Sequence, residues 1–539
     1  MRRETFFSSQ CGWLIVLTSL VALLVAVPTW AADIYVAQSQ AGGDTGADCA
    51  DAIAVSALTA GNWSAGNTIH LCGAITSGFT VNGSGTAGNV ITVKWESGAR
   101  ISVPDGKIIN LNGEAYLLFD GGTACGPGTA CDTVEAANQS GYASGQTGIL
   151  EATANGSALA NQSATTQAFY NSSGSHDIEI RNLIIRNLYV HSLSSDNTAN
   201  IHTGDSVFQC SGGDSGCASG IISLHDSTVH DVGMVISYEK TSGTTLNLYN
   251  TDIYHFNWGL EVSGNGTRTL NIYNNWFHDT TNWDSSQDSY HHVGIHNYMN
   301  VSSDSQGYYF YNNKAYGDWG SCCTQDLLMY TETEIPASLY FFNNVAIQSC
   351  NNNVAPALGY LNLTAASQGG YYYNNTFLGC ATTASNGAAV RFDGSIGGTG
   401  VYFENNVIQG FGQYLVVTPS NMTFGALNHN VYGPIGESGN GPWSWHGTDE
   451  NSFSSWQSVS GEGANSSQVS NMGVNSSGFP QAGSALIGAG ANLTSVGITT
   501  LDSDITGAVR PSTGAWTAGA YGLADPLAPP TNLRLSGTN

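Results

Sequence analysis

The densest run of chemically capable side chains is Asp284, Asp288, Tyr290, His291, His292 and His296, closed by Tyr298. Imidazole titrates near neutral pH and binds metals through nitrogen. Three histidines flanked by tyrosine and aspartate can therefore supply a general base, an acid or metal ligands. His292 and His296 share one face of a strand, and Gly294 between them leaves room for a ligand. Asp284 and Asp288 are the candidate cation ligands. Lys314, Asp318, Trp319 and Asp326 follow in the next stretch. Trp258, Trp276, Trp283 and Trp319 offer faces for sugar stacking, although aromatics more often serve packing. His225-Asp226 and His230-Asp231 read as structural.

Positioning these groups falls to a repeat. Aromatic-rich segments end in paired asparagines at 274–275, 312–313, 343–344, 374–375 and 405–406, the last four copies recurring every 31 residues. Weaker copies stand at Asn182, Asp226, Asn250 and His429-Asn430, several of them spaced by 24 residues. About two dozen residues are too few for a β-α-β unit but suit three short strands joined by turns. Stacking such coils pairs each strand with its copy roughly 4.8 Å away, and longer spacings are one coil plus a loop. An asparagine at a fixed bend can bond its neighbours above and below, which removes the cost of a buried unpaired amide. The expected fold is all-β, a single-stranded right-handed parallel β-helix. A sandwich or propeller is the alternative, but a propeller blade needs about 40–50 residues.

With apolar alternates taken as inward, one outer face collects Glu239, Glu261, His292, His296, Tyr298, Tyr330, Glu332, Arg391 and Asp393. Counted back from the ladder, Glu239 and Glu332 lie 11 residues away, Asp393 12 and Glu261 13, which puts them in near register. Carboxylates on adjacent coils must share a proton or a cation such as Ca²⁺. Two coils apart, about 10 Å, they leave room for a water and a glycosidic bond. The division of roles expected is catalysis by His292, His296, Tyr298, Lys314 and Glu332. Glu239, Glu261, Trp283, Trp319, Tyr330, Arg391 and Asp393 would bind substrate. The plainer alternative is a solvated sheet carrying scattered polar positions.

The chain resembles the pectin-lyase-like superfamily of secreted right-handed parallel β-helix proteins. Besides the ladder, the likeness rests on Ile34-Tyr35-Val36-Ala37 with Gly42-Gly43-Asp44, and on Thr68-Ile69-His70-Leu71-Cys72. It rests also on Ser484-Ala485-Leu486-Ile487-Gly488, Asp504, Arg510-Pro511 and Gly519-Ala520-Tyr521 near the end. The resemblance implies that an extended sugar chain binds along a groove on one outer sheet. It implies a polysaccharide lyase ahead of a glycoside hydrolase, with a non-catalytic glycan-binding or cell-surface rod as the competing class. The Arg-x-Pro-Arg pattern of the main pectate lyases and the Gly-His-Gly and Arg-Ile-Lys signatures of polygalacturonases are not found. Neither family's catalytic residues carry across.

Composition narrows the setting. Only 10% of residues are charged, against 67 glycines and 25 tyrosines, which suits strands and tight turns. A net charge of −26 makes nucleic acid a poor partner and makes a polyanion awkward without a bridging cation. Arg2 and Arg3, an apolar run from Trp13 to Val27, and small residues at Ala31 and Ala32 read as a signal peptide over 1–32. No later segment is apolar enough to span a bilayer, so a secreted or cell-surface monomer is expected. The remaining ten cysteines are Cys49, Cys72, Cys125, Cys131, Cys210, Cys217, Cys322, Cys323, Cys350 and Cys380. Their even number suggests disulfides of open connectivity. The expected organisation is a cap and first coils over 33–100 and a helix body over 101–433. A closing region over 434–525 and a loose tail over 526–539 follow.

Overall fold

A computed structural model describes residues 31–129, 148–153, 166–171, 174–189, 205–210, 217–239, 243–263, 268–280, 292–298, 307–319, 325–331, 338–350, 358–362, 370–380, 387–393, 400–436 and 440–522. The chain is a parallel β-helix. Each coil adds one strand to a 14-stranded parallel sheet, as Arg268–Tyr273 does between Thr244–Tyr249 and Tyr308–Tyr311. It then bends into a second sheet of 24 strands, first through a short strand such as Trp276–His278. After a further corner comes a longer strand such as His292–Tyr298. In two coils these last two segments run on as single 12-residue strands, Thr228–Glu239 and Asp252–Ser263.

Sequence alternation sets which side chains enter the core. In Thr244–Tyr249, Leu246 and Leu248 are buried while Thr245 and Asn247 are half-buried. Coil by coil, Leu246, Leu270, Tyr308 and Leu339 form one inward row, and Leu248, Ile272, Phe310 and Phe341 the next. Each such burial contributes about 2 kcal/mol, and the row repeats it at every turn of the solenoid.

The asparagine ladder is continuous. Asn275, Asn313, Asn344, Asn375 and Asn406 each hand an Nδ2–H to the Oδ1 of the next, ending at Asn430, at 2.9–3.1 Å. The same Oδ1 accepts the preceding backbone N–H, and the other Nδ2–H reaches a carbonyl of an adjoining coil, such as Phe341 O for Asn375. The buried amides of this column are thereby bonded. The partner residue of each pair, from Asn274 through Asn405, has φ between 52 and 60°. Asparagine adopts this left-handed conformation at low cost because its short amide bonds locally.

The far end is closed differently. Trp443–Trp445 pairs antiparallel with Thr448–Glu450, and the helix Phe453–Ser460 stacks Trp456 on Trp443 at 5.5 Å. The chain then returns along the coils. Asn343, Asn374 and Asn405 donate to the carbonyls of Ser503, Gly519 and Ala491. The Arg510 guanidinium, its pKa lowered by burial to about 10, donates to Asn343 Oδ1 and to the carbonyls of Thr517, Gly519 and Ala520. Disulfides join Cys49 to Cys72, Cys210 to Cys217 and Cys350 to Cys380, and Cys125 is also disulfide-bonded. Cys131, Cys322 and Cys323 lie outside the described residues. Among the described residues, no helix is long and apolar enough to cross a membrane.

Candidate functional site

Strand register assembles one column of the predicted face, in which Ser237 and His296 are buried. Ser237 pairs with Glu261, Glu261 with His296, and His296 with Tyr330. Ser237 Oγ donates to Glu261 Oε2 at 2.8 Å, and Glu261 is half-buried. The Trp258 ring, also half-buried, lies 4.9 Å from the His296 ring, which is 2% exposed. Carboxylate, imidazole and indole thus meet on neighbouring coils, a combination that can bond a hydroxyl, move a proton and pack a sugar ring.

The same register agrees with the count from the ladder. Glu239 pairs with Ser263, which pairs with Tyr298, so Glu239 stands two residues along the strand from the Glu261 column. That is the offset between 11 and 13 residues, because these coils are of equal length. Two expectations fail on packing. Trp319 offers no sugar-stacking face: it is fully buried, set edge-on against Phe256 and donating Nε1–H to Tyr316 O at 2.8 Å. Lys314 does not join His296. It sits on the short strand Lys314–Tyr316, before the corner, with Nζ 5.2 Å from the Trp276 ring, and burial lowers its pKa. Arg391 is half-buried on Ala388–Asp393, beyond a register irregularity in the preceding strand pair. The strands hold His292, Tyr298, Tyr330, Glu239 and Asp393 at backbone level. Trp283, Asp284, Asp288 and Glu332 lie outside the described residues.

Sequence reasoning missed a second cluster at the corner itself. Arg186, His230, Tyr254, His278 and Tyr316 follow one another in register, with Tyr254 stacked between His230 at 4.6 Å and His278 at 5.1 Å. Each is followed by a corner residue of positive φ: Asn187, Asp231, His255, Asp279 and Gly317. Acid and imidazole therefore alternate both along the strand and between coils. His278 bridges Asp252 at 3.0 Å and Asp279 at 2.7 Å. Burial would lower its pKa, but the two carboxylates outweigh it and raise the imidazole to about 9. Burial would likewise raise Asp231, yet His230 and His255 hold its carboxyl down at about 2. The signal was present in the sequence, because positions 230, 254, 278 and 316 each lie four residues after a ladder position.

Segment 121–129 folds across the neighbouring bend. Cys125 N–H donates to Asp226 O, and Thr228 Oγ1 donates back to Cys125 O. Only glycine fits at Gly126, where a Cβ would lie 2.2 Å from Asn250 O.

No family model matches the chain, and no curated protein matches it. The function must be argued from the side chains. One more cavity, of about 400 Å³, lies between Tyr309, Tyr340, Tyr371 and residues 496–500. Those tyrosines stack on each other at 4.7 and 4.8 Å, so their faces are covered by each other and the stack offers no open platform to a sugar ring.

Proposed function

We propose that this chain is an exported polysaccharide-cleaving β-helix protein of the pectin-lyase-like type, which holds an extended glycan at the half-buried Trp258 and Glu261, over the buried Ser237 and His296. The observation that carries this reading is the half-buried Trp258 with its ring 4.9 Å from that of His296 on the next coil, where His296 pairs in register with Glu261. A linear sugar chain running along the solenoid meets a fresh set of side chains at each 4.8 Å step. In this reading Trp258 packs a sugar face, Glu261 bonds its hydroxyls, and His296 with Tyr298 moves the proton in a β-elimination. Ca²⁺ is the expected bridge between so acidic a protein and a uronate. Glu261 would hold it, and the ion would neutralise the sugar carboxylate.

A second reading is a glycoside hydrolase. The backbones of Glu239 and Glu261 are one coil and two residues apart, about 8 Å by strand geometry. An inverting pair needs carboxyl groups about 6.5–9.5 Å apart, a spacing that such backbone positions allow.

The test is a polysaccharide panel with and without chelator, using the chain, Glu261→Gln and His296→Gln. Turnover is expected to fall by about 10²–10⁴ in the His296 variant, with an unchanged circular dichroism spectrum. An unsaturated, ultraviolet-absorbing product end marks elimination, and its absence from a cleaved product marks hydrolysis. A chain that cleaves nothing on the panel would leave only a glycan-binding rod, and variants as active as the parent would take catalysis away from this column.

A further inference from the structure

We propose that His230, Asp231 and His255 form a binding site for one divalent transition-metal ion of the Zn²⁺ class, independent of the glycan column. Each residue offers a ligand atom, and the three atoms lie within 4.8 Å of one another. His230 Nδ1 is 2.7 Å from Asp231 Oδ2, and His255 Nδ1 is 3.7 Å from Asp231 Oδ1. Ligand atoms about 2.0–2.1 Å from a tetrahedral zinc stand about 3.3 Å apart. The two contacts go to different oxygens of Asp231, so the carboxylate and the imidazoles must turn toward one centre to share an ion.

The His-Asp pair alone is a turn device. It recurs at His176-Asp177, His225-Asp226 and His278-Asp279 with the same 2.7 Å contact. What distinguishes the 230–231 pair, among the described residues, is a second imidazole converging on the same carboxylate. The corner position is Asn187, Asp231 and Asp279 in neighbouring coils, but histidine at 255, which sets a nitrogen donor directly above an oxygen donor. Two imidazoles and a carboxylate suit Zn²⁺ and its neighbours, whereas Ca²⁺ requires an oxygen shell. Tyr254 stacked on His230 fixes one ring. His230 and Asp231 are 1% exposed while the His255 side chain is 27% exposed, so the ion enters past His255, where water can complete the shell.

The experiment is calorimetric titration of ZnCl₂ into the untagged, chelator-stripped chain, with bound zinc counted by elemental analysis. One ion per chain is expected. His255→Asn and Asp231→Asn should each weaken binding by at least about tenfold, since even outer partners of a metal act on that scale. Tyr254→Phe, which removes no donor, should bind as the parent does. Asparagine tolerates the left-handed corner, so His255→Asn is expected to fold and decides the matter if the buried Asp231 variant does not. No zinc uptake by the parent, or uptake equal in the folded variants, overturns the assignment.

Discussion

Replacing His278 with glutamine separates its charge from its shape. The folded imidazole has a pKa near 9, against 6.5 for an unperturbed histidine, because Asp252 and Asp279 both bond it. The folded chain therefore holds this proton more tightly than the unfolded chain. Its contribution is complete below pH 6.5 and disappears as the pH rises through 9. At about 1.4 kcal/mol per pH unit, that interval corresponds to about 3 kcal/mol. The buried Asp205 carboxyl, pushed up to about 8, also loses stability with rising pH. The readout is accordingly the difference between parent and His278→Gln, not the parent curve alone. Urea unfolding followed by tryptophan fluorescence, in chelator, at pH 6, 7.5 and 9.5 measures it. The parent's advantage should shrink by about 3 kcal/mol between the first and last pH. A difference that stays constant across that range would refute the assigned ion-pair geometry.

Two further substitutions probe the scaffold. Asn375→Ala removes a carboxamide that accepts from Asn344 and donates to Asn406 and to Phe341 O. At about 1–3 kcal/mol per buried group left unsatisfied, urea unfolding should show a loss of about 3 kcal/mol or more. A loss under about 1 kcal/mol would mean that the ladder is dispensable. Arg510→Ala cuts the bonds that tie the returning segment to Asn343 and to its own carbonyls. Limited proteolysis should then cleave within 490–522 before the coils, and a digestion pattern like the parent's would count against the latch.

The fold was legible because its strongest constraint is local. A buried asparagine at a bend needs partners above and below, so its spacing announces the coil. The two-residue offset of Glu239 from Glu261 was legible as well, because coils of equal length keep the count through the corner. Packing was less legible. Trp319 lies just past a corner, where alternation no longer separates inside from outside, and the chain turns it into the core. His230 was read as part of the bend, and its His-Asp geometry is indeed a turn device. The approach of His255 from the next coil becomes visible only once the coils are superposed.

The reversed strand at the far end has a consequence for how molecules meet. Parallel sheets grow by adding strands of one polarity, and an open rung invites another chain to continue the pile. Thr448–Glu450 runs the opposite way against Trp443–Trp445, with Asp449 facing solvent and the Trp456 helix alongside. A second chain arriving at this edge meets the wrong direction and a negative charge, so this strand cannot be continued in parallel although the rungs inside are built to propagate.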